Sequence, residues 1–207
     1  MNNDQNFLKY FQKAEFLISV PSTSLLPEDS GAEVVFLGRS NTGKSSTINS
    51  LCSRRKLAHT SRTPGRTQQF NCFSLDKGQR LVDVPGFGYA KVSKAIKSRW
   101  ERELPIYLQY RKSLRGIVLI MDIRNPLTDI EKSILNWSSE ACLPSIVLLN
   151  KSDKTKKNYN IQICSMVNDY FVEIGKNSEN NVIIFSAKYR NGISRLASLL
   201  ALWLDID

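Results

Sequence analysis

Four short groups of residues could do chemistry on a phosphorylated ligand. The first is Gly38-Arg39-Ser40-Asn41-Thr42-Gly43-Lys44-Ser45, followed by Ser46. A Gly-x-x-x-x-Gly-Lys-Ser run wraps phosphate oxygens in backbone N–H groups, because its glycines accept conformations that turn successive amides inward. A helix beginning at Lys44 adds the positive end of its dipole. Lys44 would reach the β and γ phosphates as a mobile point charge, and Ser45 would offer its hydroxyl to Mg²⁺. The second group, Asp83-Val84-Pro85-Gly86, ends an apolar run. Its aspartate can hold a magnesium-bound water, and the Gly86 N–H can meet a γ phosphate. Neither group separates GTP from ATP.

The third group, Asn150-Lys151-Ser152-Asp153, reads the base. The Asp153 carboxylate can accept from guanine N1–H and N2–H₂ together, whereas adenine offers no matching pair of donors. A carboxylate left unpaired in a closed site is costly, so ATP is rejected. Asn150 would either tie this loop to the phosphate loop or touch the base, and the Lys151 stem would lie over the ring. The fourth group, Phe185-Ser186-Ala187 before Lys188, follows the last apolar run, where a backbone N–H could donate to guanine O6.

All four groups need the carboxyl ends of neighbouring strands, where open α/β sheets collect ligands. Short apolar runs alternating with amphipathic stretches predict an α/β fold with a mainly parallel sheet and helices on both faces. Strands are expected over 15–20, 33–37, 70–75, 80–84, 116–121, 145–149 and 182–185. The second, third and fourth of these carry the phosphate loop and a hairpin closed by Asp76-Lys77-Gly78-Gln79, which makes one strand antiparallel. Helices are expected over 44–54, 93–112, 128–139, 159–174 and 193–202. Pro105 should bend or interrupt the second helix, and Thr128 with Glu131 has capping-box spacing. Residues 56–69 form a long polar loop of the kind that more often carries function.

Composition narrows the class. The chain has 207 residues, 42% hydrophobic and 23% charged, with a net charge of +10. It is neither disordered nor membrane-spanning by these measures. The N-terminal stretch lacks the basic start and apolar run of a leader, so a cytoplasmic protein is expected. Cys52, Cys72, Cys142, Cys164 and the single His59 have no metal-ligand spacing and read as reduced structural groups.

The ordered set GRSNTGKSS, SRTPGRTQQFN, DVPGFGYAKV, NKSD and SAK resembles the EngB family of GTP-binding proteins, from about residue 13 to the C-terminus. The resemblance implies a three-layer, Ras-like P-loop GTPase domain over 31–207, preceded by an extension over 1–30 with an added strand. It implies that Gly65, Arg66, Thr67, Gln68 and Gln69 belong to a first switch that meets GTP, with Thr67 as the second protein ligand of Mg²⁺. Asn41 occupies a position that coordinates potassium in GTPases of this kind; a P-loop asparagine can instead only brace the loop. Where many GTPases place a water-orienting glutamine, this chain has Phe87, so slow intrinsic hydrolysis is expected. Thr42 replaces the family's usual small alanine, and Asn150 stands where many members have threonine. The implied role is a monomeric, GTP-dependent switch in assembly of the large ribosomal subunit, binding a precursor through rRNA and ribosomal proteins, with a link to cell division.

Positive charge gathers at Arg54, Arg55, Lys56, Arg62 and Arg66, then at Lys91, Lys94, Lys97, Arg99, Arg102, Arg111, Lys112 and Arg115, and at Lys154, Lys156 and Lys157. This is either a solvated face or a counter-surface for RNA, with affinity that falls steeply with salt. Trp100, Tyr107 and Tyr110 either stack on bases or, at helical spacing, fill the core. Two other functions compete: a nucleotide-sensing RNA adaptor in which hydrolysis is incidental, and a P-loop kinase, disfavoured because Asn-Lys-x-Asp has no role there.

Overall fold

Strand β2 (Ala32–Gly38) is buried at all seven positions, as a strand covered on both faces must be. It is the central strand of a seven-stranded sheet in the computed structural model, which describes residues 3–59, 69–87, 94–176 and 181–206. The others are β1 (Glu15–Val20), β3 (Phe70–Ser74), β4 (Gln79–Asp83), β5 (Leu114–Asp122), β6 (Ser145–Asn150) and β7 (Val182–Ile184), in the spatial order β1-β3-β4-β2-β5-β6-β7. β3 runs antiparallel to both β1 and β4, and every other pairing is parallel. The hairpin over 70–84 is therefore present, and its first strand is the one antiparallel member.

Among the described residues, six helices cover the sheet: α1 (Asn3–Phe11), α2 (Lys44–Leu51), α3 (Lys94–Tyr110), α4 (Asp129–Glu140), α5 (Lys157–Glu173) and α6 (Ile193–Trp203). Side chains alternate between faces along a strand, and the two cores follow that period. Val34, Phe36, Val118, Ile120, Ile146 and Leu148 face α1, α2 and α6 through Phe11, Ile48, Leu51 and Leu200. Val35, Leu37, Ile117, Leu119, Val147 and Leu149 face α3, α4 and α5 through Leu104, Tyr107, Leu135, Val167 and Phe171. Each such side chain contributes roughly 1.5–3 kcal/mol by leaving water. None of these helices is long and apolar enough to cross a membrane.

Four local outcomes differ from the sequence pattern. Helix α1 was not expected, yet Phe11 is fully buried against the sheet, with Phe7 and Leu8 packed beside it. Helix α3 is not interrupted at Pro105 and continues to Tyr110, because one missing N–H bond is outweighed by burial of Leu104 and Tyr107 on either side. Helix α2 ends at Leu51 rather than 54, since Ser53 adopts a left-handed φ of 51°. Arg111, counted above as surface charge, is instead drawn into a buried ion cluster.

That cluster lies at the amino ends of the central strands. Glu33 on β2 is fully buried. Its Oε1 accepts from Arg80 Nε (2.6 Å) and Arg111 Nη2 (2.7 Å), and its Oε2 accepts from Arg111 Nε and Tyr107 Oη, both at 3.0 Å. Arg111 also donates to Pro27 O at 2.8 Å. Asp29 accepts the backbone N–H groups of Lys112 (3.0 Å) and Ser113 (2.8 Å). Burial alone would raise the Glu33 carboxyl, but the Arg111 and Arg80 guanidinium groups outweigh it and hold it below the ordinary range. Burial also opposes ionisation of Asp29, yet the two amides bring its pKa down to about 2. Both carboxylates are thus more acidic in the fold than in the open chain. Their contribution is complete above the unfolded pKa and disappears as pH falls through the folded values. Glu33→Gln should destabilise the protein by about 3–5 kcal/mol, because it strands two guanidinium groups in the interior. Urea unfolding at pH 7 checks this, and a change under about 1 kcal/mol, the level of a surface pair, would contradict it.

Candidate functional site

The phosphate-loop sequence leaves the end of β2 and enters α2. Gly38 passes so close to β5 that a Cβ there would lie 2.5 Å from Ile120 O. Gly43 has φ 103°, and a Cβ on it would lie 2.3 Å from Asn150 Nδ2. Both positions therefore need glycine, for contact as well as conformation. The loop is closed from within: Thr42 Oγ1 donates to Arg39 O at 2.8 Å, and Thr47 Oγ1 donates to Gly43 O at 2.9 Å. Asn41 is exposed at φ 67°, and its side chain makes no hydrogen bond among the described residues. It does not brace the loop there.

Beneath the loop, Lys44 and Ser45 of α2 meet Asp83 at the end of β4. Lys44 Nζ is 3.9 Å from Asp83 Oδ1, and Ser45 Oγ donates to Oδ2 at 3.2 Å. Asp83 is buried, and its Oδ1 has no hydrogen-bond partner among the described residues. Burial raises its pKa, with Lys44 and the Ser45 hydroxyl pulling the other way. Val84 and Pro85 are buried behind it. Past them the chain returns to the phosphate loop: Ser40 N–H donates to Phe87 O at 2.9 Å, and Ser40 Oγ donates to Gly86 O at 3.3 Å. Phe87 is buried in the core on the α3 side of the sheet, so it cannot orient a water molecule.

The Asn150-Lys151-Ser152-Asp153 loop follows β6. Asn150 Nδ2 donates to Thr42 O at 2.7 Å, and its Oδ1 accepts the Ala187 N–H at 3.1 Å. Of the two expected roles, the tie to the phosphate loop is the one seen, and it reaches the fourth group as well. Ser152 Oγ donates to Phe185 O at 2.8 Å, and Ser186 Oγ donates to Asp153 Oδ1 at 2.7 Å. Lys151, at φ 65°, sends its ammonium to Asp122 Oδ2 at 2.9 Å. Residues 38–46, 83–86, 150–153 and 185–187 thus share one edge of the sheet. Gly65, Arg66, Thr67 and Gln68 lie outside the described residues. Gln69 is exposed, and its Oε1 accepts from Ser19 Oγ at 2.6 Å.

Two further acidic residues, outside the four sequence groups, stand at this edge. Asp122 carried the same signal as Asp83, an aspartate ending an apolar strand, but the expected strand stopped one residue short of it. Glu131 of α4 is fully buried; its Oε2 accepts the Thr128 N–H at 2.9 Å. Burial raises its pKa against the pull of that N–H and of Arg39. Its capping spacing was legible, but its burial beside the phosphate loop was not. Of the aromatic residues, Tyr107 belongs to the core and Tyr110 is exposed, while the side chain of Trp100 lies outside the described residues. Arg54, Arg55 and Lys56 line an open groove of about 560 Å³ with Glu15, Phe16 and Leu57.

A mainly parallel sheet with a phosphate loop after β2, an aspartate after β4 and Asn-Lys-x-Asp after β6 defines a P-loop GTPase. Residues 33–151 match the family model described as 50S ribosome-binding GTPase. The probable GTP-binding protein EngB of Glaesserella parasuis is 43% identical over 193 residues, 93% of this chain and 91% of that protein. Its counterpart in Aeromonas hydrophila is 44% identical over 93% of this chain and 88% of its own length. A crystal structure of a probable GTP-binding protein EngB matches with a TM-score of 0.67 at 26% identity, covering 85% of this chain and all of the other. The chain belongs to the EngB family of GTP-binding proteins and is a GTPase.

Asn150→Ala would leave the Ala187 N–H and Thr42 C=O without their partner, at roughly 1–3 kcal/mol for each buried group. Release of a fluorescent GDP analogue, followed by stopped flow, should quicken by at least about tenfold. An unchanged rate would show that the three loops do not depend on this side chain.

Proposed function

We propose that GTP lies along this carboxyl edge, with the amides of Gly38, Arg39, Ser40, Asn41, Thr42, Gly43, Lys44, Ser45 and Ser46 around its phosphates and Asp153 against its base. Lys44 neutralises the β and γ phosphates. Gly86 N–H, after Val84 and Pro85, approaches the γ phosphate. Ala187 N–H, behind Ser186 and Phe185, faces guanine O6, and the Lys151 stem covers the ring beside Ser152. The observation that carries this reading is the double hydrogen bond of Asn150, which brings the phosphate loop and both base loops to one place.

The donors at Ser45 and Asp83 suit Mg²⁺, a hard ion that takes a few protein oxygens and leaves the rest to water and phosphate. The Oδ1 of buried Asp83, without a hydrogen-bond partner among the described residues and facing Lys44, supports that fit beside the Ser45 hydroxyl. When bound, the ion neutralises charge between the β and γ phosphates. Ser45 would be a direct ligand and Asp83 would act through water; the family resemblance supports Thr67 as a further ligand and Gly65, Arg66, Gln68 and Gln69 as neighbours of GTP. Asn41, unbraced at the loop's tip, is the residue available to a potassium ion. Phe87, buried where many GTPases place a water-orienting glutamine, supports slow intrinsic turnover that a bound partner accelerates.

That partner, we infer, is a precursor of the large ribosomal subunit in the cytoplasm, met by rRNA and ribosomal proteins. The basic groove at Arg54, Arg55 and Lys56 supports this, since it lies just before residues 60–68. A ligand moves a switch only through contacts that differ between states, and GTP supplies them there. The adaptor reading draws on the same buried Phe87; a variant that binds GTP without cleaving it would support subunit maturation only under that reading. Lys44→Ala should abolish nucleotide binding in calorimetry, and Asp153→Asn should erase the preference for GTP over ATP; retained selectivity would contradict the base assignment. Cosedimentation with large subunits should need a non-hydrolysable GTP analogue and weaken steeply with salt. Equal pelleting with GDP would contradict the switch.

A further inference from the structure

We infer that Asp122 is a positioning residue that sets guanine preference by holding the Lys151 ammonium away from Asp153. The inference rests on the reading of Asp153 as the base-recognising carboxylate. Asp122 ends β5 directly beside Asn150 of β6, its register partner. Its Oδ2 accepts from Lys151 Nζ at 2.9 Å and from Arg124 Nη2 at 2.6 Å. Its Oδ1 accepts from Arg124 Nε at 2.9 Å and from the Arg124 N–H at 3.1 Å. The negative charge strengthens each of these bonds, most of all those from the two cationic side chains. Burial opposes that charge, but the Arg124 and Lys151 hydrogen bonds outweigh it and hold the group far below the ordinary carboxylate range.

Lys151 is two residues from Asp153, on the same short loop. Asp153 has one oxygen engaged by Ser186 Oγ at 2.7 Å, while the other accepts no hydrogen bond among the described residues and has Lys154 Nζ at 4.0 Å, with the Lys188 ammonium also acting on this carboxylate. That second oxygen is the acceptor open to a ligand's N–H groups. An ammonium released from Asp122 would swing free on the loop that carries Asp153 and compete with the base for that carboxylate. With its head tethered at the end of β5, Lys151 instead stretches its four methylenes between the ends of β5 and β6, an apolar strip for a planar ring. One carboxylate therefore does two things: it keeps a further ammonium off the reading carboxylate and fixes the surface on which the base rests.

The test compares GDP and ADP dissociation constants by titration calorimetry for the wild type, Asp122→Asn, and Asp122→Asn combined with Lys151→Met. Asp122→Asn should weaken GDP at least about tenfold and leave ADP nearly unchanged, so selectivity falls. Methionine keeps much of the stem without the charge, and should recover most of the lost GDP affinity. A merely structural role for Asp122 would not be rescued by removing a neighbouring charge. Wild-type GDP affinity in Asp122→Asn, or no recovery in the double variant, overturns the inference. A wild type that binds GDP and ADP equally would overturn the base reading beneath it.

Discussion

The buried carboxamide of Asn150 works in two directions at once, donating to Thr42 O in the phosphate loop and accepting the Ala187 N–H. It joins segments more than a hundred residues apart, and the rest of the edge is arranged around it. Gly43 lacks a side chain where a Cβ would strike Asn150. Ser152 and Ser186 each bond across to the opposite loop. A short amide held at both ends has little freedom, so the distance between the phosphate and base subsites is fixed before a nucleotide arrives. Preorganisation of this kind reduces the ordering cost of binding.

The opposite end of the sheet supplies the counterpart. Glu33, Arg80 and Arg111 lock β2, β4 and the residue after α3 into one charged cluster, so the strands carrying the phosphate loop and Asp83 are anchored away from the site. The amino-terminal segment adds contacts of its own: Ser19 bonds Gln69, and Glu103 of α3 accepts both the N–H and the hydroxyl of Thr23. The sheet is thus held firmly at its base and its phosphate edge, with the segment before β2 packed along both.

Much of the fold was legible because its strands are short apolar runs and its connections carry strong signals. Gly38, Gly43, Lys44 and Asp83 announced themselves by type and spacing, and so did Asn150 and Asp153. What stayed hidden depends on contacts distant in sequence. Nothing around Arg111 distinguishes it from Lys112, yet one is clamped inside by Glu33 and the other is exposed. Asp122 looks like the end of any strand until Lys151 reaches it. Helix α1 is polar by composition and forms because Phe11 finds the sheet, a tertiary effect that local pattern does not record. Pro105 did not interrupt α3, since packing carried the helix past it.

Amide hydrogen exchange on the wild-type protein, with and without GDP, tests the central claim that the phosphate and base loops form one site. The account predicts that amides 41–46 and the Ala187 amide gain protection together, at the same GDP concentration, and that ADP at that concentration protects neither. Protection of the phosphate loop without Ala187, or equal protection by ADP, would contradict it.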